Sequence, residues 1–135
     1  MVRAPQNILS EAVHHRHAAA VVRRSECRPP PIDVSNPETK THHVCYHQAV
    51  RDAFEDILAF GFTDLFRRHN PDLVDYSFYD YRAPFNPDQK RGWRIDYVLA
   101  TPPLASKSAA AAIDLVPRTR PKPSDHCPLY ADIKE

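Results

Sequence analysis

Residues 92–100 read GWRIDYVLA, and the fold turns on how this stretch is read. Trp93, Ile95, Tyr97, Val98 and Leu99 are aromatic or aliphatic, so 93–100 is expected to be a mostly buried β-strand. Asp96 interrupts it. A carboxylate inside an apolar strand is costly unless something pairs with it. Two partners are open. Arg94 lies two residues earlier on the same strand face, and His126 sits in PKPSDHCPLY (121–130), where prolines stiffen the chain. An Asp96–His126 pair fixes the imidazole tautomer and leaves the second ring nitrogen for a substrate. Asp125 then remains as a spare carboxylate, free to face a metal ion. A carboxylate–imidazole pair with a second carboxylate suits metal-assisted phosphoryl transfer.

Outward from this strand, HQAVRDAFEDILAFG (47–61) places Val50, Phe54, Ile57 and Leu58 at helical spacing, and Gly61 ends the helix. YSFYDYR (76–82) reads as an aromatic strand and NPDQKRG (86–92) as a turn. AAIDLV (111–116) and CPLYADI (127–133) are two more strands, the last setting Leu129, Ala131 and Ile133 on one face. The order predicts an α/β layered fold. Residues 1–30 differ: they are rich in His, Arg, Ala and Pro and have no clear period.

The chain has 135 residues, 42% of them hydrophobic, which fits one modest domain. No stretch approaches the roughly 18 apolar residues of a membrane span, and the arginine- and histidine-rich start is no secretory signal. Three cysteines, Cys27, Cys45 and Cys127, are an odd number at unrelated spacings. They argue against a disulfide framework and for a cytoplasmic setting. The net charge of +1 decides nothing about nucleic acid. Its cations do cluster, at Arg67–Arg68–His69, at Lys90–Arg91 and at Arg118, Arg120 and Lys122. Loop cations are ordinarily just solvated, but these lie at element ends where a phosphate backbone can be met. HHRH (14–17) and THHVCYH (41–47) lack the paired ligand spacing of zinc sites.

GFTDLFRRHNPD, YSFYDYR, GWRIDYVLA and KPSDHCPL, in that order, resemble the C-terminal half of the exodeoxyribonuclease III family of abasic-site DNA endonucleases, within the endonuclease/exonuclease/phosphatase superfamily. The resemblance covers residues 31–135. Its Ser-Asp-His element is superfamily-wide; the aromatic block and GWRID narrow it to the DNA repair branch. It implies a four-layer α/β sandwich, mixed sheets flanked by helices, of which the N-terminal half is absent here. It implies that Asp96 orients the catalytic histidine His126, that Asp125 and His126 lie at a Mg²⁺ (or Mn²⁺) site, and that Phe78, Trp93 and Ile95 line an apolar pocket for a flipped-out abasic sugar. Such a pocket suits a sugar without a base and excludes a normal nucleotide. The implied substrate is double-stranded DNA with abasic sites, cut on the 5′ side, with 3′-to-5′ exonuclease or 3′-phosphatase activity alongside.

The family's N-terminal half carries a metal-binding Asn and Glu, a catalytic Tyr and a Gly-Asp-x-Asn motif that activates water. That motif does not occur here, where Gly61 and Gly92 are the two glycines. One coding of Arg23–Pro29 reads Gly-Asp-Leu-Asn-Val-Ala-Pro when one nucleotide is dropped. Residues 1–30 are therefore expected to be a disordered or out-of-frame segment, and the chain to be inactive alone. A separate N-terminal half, a non-catalytic remnant that binds DNA weakly, and a superfamily phosphatase acting on a small molecule or lipid are the alternatives.

Overall fold

The computed structural model describes residues 31–135, except 41, 44 and 45, and the backbone of the strand Ala19–Arg23. Five strands are described: β1 (Ala19–Arg23), β2 (Thr63–Asp64), β3 (Asp96–Ala100), β4 (Ser108–Ile113) and β5 (Leu129–Ile133). Three α-helices accompany them: α1 (Gln48–Ala59), α2 (Leu65–His69) and α3 (Pro102–Lys107). One sheet has the order β1-β3-β2, antiparallel throughout, and β4 and β5 form an antiparallel pair. Ala19 to Arg23 of β1 pair with Ala100 to Asp96. The remainder of residues 1–30, including HHRH, lies outside the described residues.

β3 is the centre of the molecule because it is buried along its whole length. Its side chains alternate between two apolar clusters, as the period of a strand requires. Tyr97 and Leu99 meet Phe54 of α1, with Ile57, Leu58 and Phe62 packed around them. Val98 and Ala100 join Leu65 and Phe66 of α2, Leu104 and Ala105 of α3, and Ala111 and Ile113 of β4. This is an α/β fold with helices on both sides of the central strand.

α1 forms where the apolar period predicted it. His47 caps it by accepting the Ala49 N–H, and Gly61 follows the last turn at φ +118°, a conformation that glycine adopts without steric cost. Other boundaries shift. β3 begins at Asp96 rather than Trp93, so Asp96 opens the strand instead of standing in its middle. The aromatic block 76–82 is not a regular strand; Phe78 makes single bridges to Trp93 and to His126. β4 runs earlier and β5 starts later than expected, and Ile133 is exposed although Leu129 and Ala131 pack on the core.

Four ionic side chains form one connected cluster. Arg94 Nη2 donates to Asp33 Oδ2 at 2.6 Å and to Asp64 Oδ2 at 2.7 Å, and Arg67 bonds the other Asp33 oxygen. Arg67 also donates to the carbonyls of Asn70, Pro71 and Leu73. Asp64 caps α2 through the Arg67 N–H. Arg67 is thus tied into the fold rather than offered to a phosphate. Arg118 is buried too, its guanidinium lying 5.1 Å from the Tyr81 ring centre and 5.3 Å from that of Phe85.

Cys127 is a buried thiol of the main cluster. Burial pushes its pKa up to about 11, against the opposing charge of Arg118. A raised thiol pKa favours folding below the unfolded value near pH 9, and that contribution is lost as pH climbs towards about 11. With Cys27 and Cys45 replaced by serine, Cys127 is expected to react with a thiol reagent at pH 8 at least ~100-fold more slowly in native buffer than in urea. Equal rates would mean that the loop carrying it does not stay packed.

Candidate active site

Asp96 and His126 meet. The first opens β3; the second lies on the loop before β5, thirty residues away in sequence, and His126 Nδ1 stands 2.7 Å from Asp96 Oδ2. A carboxylate accepts, so Nδ1 donates in this contact and Nε2 is the ring nitrogen not engaged by Asp96. The Asp96 side chain is 10% exposed and that of His126 27%, which leaves the ring open to solvent on one side. Arg94, the other partner open to Asp96 in the sequence, is committed instead to Asp33 and Asp64. The ionic partners of Arg94 are therefore Asp33 and Asp64, and that of Asp96 is His126.

Segment 77–79 joins the approach to β3 on one side to the loop before β5 on the other. Phe78 exchanges both backbone hydrogen bonds with Trp93, at 2.8 and 3.0 Å. On its other side Tyr79 N–H donates to the Asp125 carbonyl and Cys127 N–H donates to the Ser77 carbonyl. The loop is braced further by His126 N–H on Ser124 Oγ, by Tyr81 O–H on the Pro123 carbonyl and by Arg118 Nη2 on the Tyr79 carbonyl. Prolines restrict the loop, and these bonds fix where it lies.

Phe78, Trp93 and Ile95 are each half-buried. The Phe78 ring stands edge-on to the His126 ring, 5.3 Å between centres. Trp93 has His43 at 4.9 Å and Tyr46 at 6.2 Å, two ring contacts that sequence reading did not anticipate. Phe78 thus adjoins both the imidazole and, through the backbone, Trp93. The Ile95 N–H donates to Ser77 Oγ.

Asp125 is half-buried, and among the described residues its carboxylate has no hydrogen-bonded or ionic partner. Among the described residues, no three His, Cys, Asp or Glu side chains converge as metal ligands. Mg²⁺ asks for about six oxygens in octahedral array, and here Asp125 offers one donor while His126 offers a nitrogen. The residues present therefore do not compose a Mg²⁺ site by themselves. Cys45, His14, His15 and His17 lie outside the described residues. The phenols nearby are poor proton carriers at neutral pH: burial, then neighbouring carboxylates, push both Tyr76 and Tyr79 up, Tyr79 the further. Arg82, of the aromatic block, is bound in solvent to Asp80, whose carboxyl is held down at about 2 by that hydrogen bond.

Of the clustered cations, Arg67 and Arg118 are structural and Lys90 pairs with Asp75 at 3.2 Å. Arg68, Arg91, Arg120 and Lys122 remain on the surface.

The sequence profile of the endonuclease/exonuclease/phosphatase family matches residues 28–126, a span that contains Phe78, Trp93, Ile95, Asp96, Asp125 and His126. The chain belongs to this family. Within it the resemblance is to nucleases of the exodeoxyribonuclease III and AP endonuclease type. Exodeoxyribonuclease III of Haemophilus influenzae is 38% identical over 82 residues, which are 60% of this chain and 30% of that protein. An AP endonuclease from Archaeoglobus fulgidus superposes with a TM-score of 0.78 at 43% identity, covering 82% of this chain and 43% of that one. The 3′ phosphatase NExo from Neisseria, bound to a product DNA hairpin, gives a TM-score of 0.86 at 27% identity, over 95% of this chain and 49% of its own. The chain spans about a third of the length of such curated relatives and under half of these solved chains. Among the described residues no helix is long and apolar enough to cross a membrane.

Proposed function

We propose that this chain is the C-terminal half of a DNA repair nuclease of the exodeoxyribonuclease III type, which hydrolyses the phosphodiester 5′ to an abasic site and has 3′-to-5′ exonuclease activity. The observation that carries the reading is the 2.7 Å Asp96–His126 contact beside a half-exposed Phe78. In this reading Asp96 holds the Nδ1 proton, so that Nε2 meets the scissile phosphate as a hydrogen-bonding and proton-carrying group. Phe78, Trp93 and Ile95 form the apolar wall against which an abasic sugar fits. Asp125 supplies one carboxylate to a Mg²⁺ or Mn²⁺ site whose other ligands come from outside this chain. The two small sheets are then half of a four-layer sandwich. The odd cysteine count supports a cytoplasmic setting. Residues 1–30 read as out-of-frame; coding DNA without a Gly-Asp-x-Asn frame there would end that part.

The test is cleavage of a duplex oligonucleotide carrying one tetrahydrofuran abasic analogue, with Mg²⁺ or with EDTA. The chain alone is expected to leave it intact. Mixed with the N-terminal half of a family nuclease, it is expected to incise, and His126→Ala to lower that rate about 10²–10⁴-fold. Mg²⁺-dependent incision by the chain alone would overturn its inactivity. A folded, complemented pair that ignores abasic DNA but hydrolyses an inositol phosphate or phospholipid would overturn the nuclease reading in favour of a phosphatase.

A further inference from the structure

Ser77 is bonded on one side to Asp96 and on the other to Cys127, the residue after His126. It is 0% exposed, between Tyr76 and Phe78 in the aromatic block. Its hydroxyl oxygen accepts two backbone donors, Ile95 N–H and Asp96 N–H, each at 3.1 Å. Its own N–H donates to the Trp93 carbonyl at 3.1 Å, and its carbonyl accepts Cys127 N–H at 2.7 Å. One side therefore grips the start of β3 at Asp96. The other grips the residue after His126.

The physical reason lies in the short register of β3. Regular pairing of the strand starts at Asp96, so just before it the Ile95 and Asp96 amides need an acceptor that is not a neighbouring strand. Buried amides without a partner cost about 1–3 kcal/mol each. A serine oxygen with two lone pairs meets both at once, and no apolar residue of similar size does so. We infer that Ser77 is a positioning residue: its hydroxyl and carbonyl together set the separation of the Asp96 carboxylate from the His126 ring. Its hydrogen bonds run to backbone atoms, so it acts through the backbone. Its consequence for hydrolysis rests on the nuclease reading above; its effect on the pair does not.

The experiment reads the pair directly and needs no substrate. In the ¹⁵N-labelled full chain, the Nδ1 proton of His126 held by Asp96 is expected as a downfield resonance, absent in Asp96→Asn. Ser77→Ala is expected to lose that resonance and to mix the His126 tautomers, while far-UV circular dichroism and Trp93 emission stay as in the unmodified chain. Ser77→Thr, which keeps the hydroxyl, is expected to retain it. If Ser77→Ala does not fold, Ser77→Cys replaces it, because a sulfur of similar size is a weak acceptor and is expected to weaken the resonance. A folded Ala or Cys variant with an unchanged Nδ1 proton and a single tautomer would overturn the inference. Failure of the abasic-site assay with these resonances behaving as expected would instead count against the nuclease reading alone.

Discussion

Arg94→Met is expected to destabilise the chain by about 3–5 kcal/mol, the usual cost of removing one partner from a buried ionic group. That is a large fraction of the 5–15 kcal/mol that holds a typical domain together, so the midpoint of urea unfolding should fall steeply. Arg94 is fully buried and bonds two carboxylates, of which Asp33 is also fully buried. Burial is the strongest influence on its guanidinium and works against the charge, yet hydrogen bonding and attraction from Asp33 and Asp64 outweigh it and keep the proton on. Its charge also lies 4.5 Å from the Tyr97 ring centre and 5.2 Å from that of Phe66. Methionine fills much of the volume but leaves two carboxylates facing Arg67 alone. The cause is separable by a second change. Asp64→Asn restores the charge balance and still caps α2, so Arg94→Met with Asp64→Asn should be more stable than Arg94→Met by itself. A single variant within ~0.5 kcal/mol of the unmodified chain, the scatter of ordinary surface changes, would show that the cluster does not matter to stability.

This cluster also shows where the sequence stops being legible. α1 is legible because its signals are local: an apolar period over Val50, Phe54, Ile57 and Leu58, closed by Gly61. Asp96 and His126 could be paired because each is odd in its setting, a carboxylate in an apolar strand and an imidazole between prolines. Nothing local marks Arg94 as the partner of Asp33, 61 residues away, or of Asp64, 30 residues away. Proximity in the chain points to Asp96, but Arg94 lies outside the regular strand, where its backbone and side chain both bond Asp33.

Short elements were hidden for a related reason. α3 opens with Pro102 and Pro103, which read as loop until their place in the first turn is known, where a missing N–H costs nothing. α2 spans five residues, too few to show a period, although Asp64 three residues before Arg67 is a capping signal. Trp93 to Ile95 read as part of β3 because their side chains suit a strand, while their backbone bonds go elsewhere, to Phe78, Asp33 and Ser77 Oγ. Ser77 carried a faint signal, a small hydroxyl within an aromatic run, but its role appears only with its two backbone donors beside it.

Gly92→Ala should open the site that Ser77 and Phe78 hold closed. A Cβ at Gly92 would stand 2.6 Å from the Phe78 carbonyl oxygen, 2.9 Å from Tyr76 Cβ and 3.0 Å from Tyr76 Cδ2. Backbone cannot yield as a flexible side-chain end does. The carbonyl in question is the one that accepts Trp93 N–H, and Gly92's own carbonyl is held by Ser35 N–H. Relief therefore requires Trp93 and Phe78 to part, with a cost on the order of 1–3 kcal/mol for an overpacked interior. Trp93 is the single tryptophan of the chain, so its emission reports the event directly. A red shift and a lower unfolding midpoint are expected together, and the His126 Nδ1 resonance should broaden because Phe78 bridges both segments. Gly61→Ala is the matched control. That position has nothing within 4 Å of a new Cβ, and only its φ of +118° is strained by a side chain, a penalty of about 1 kcal/mol that leaves Trp93 untouched. If Gly92→Ala matched the unmodified chain in emission and midpoint, the close Gly92–Phe78 approach could not be what holds Trp93 against the His126 side of the site.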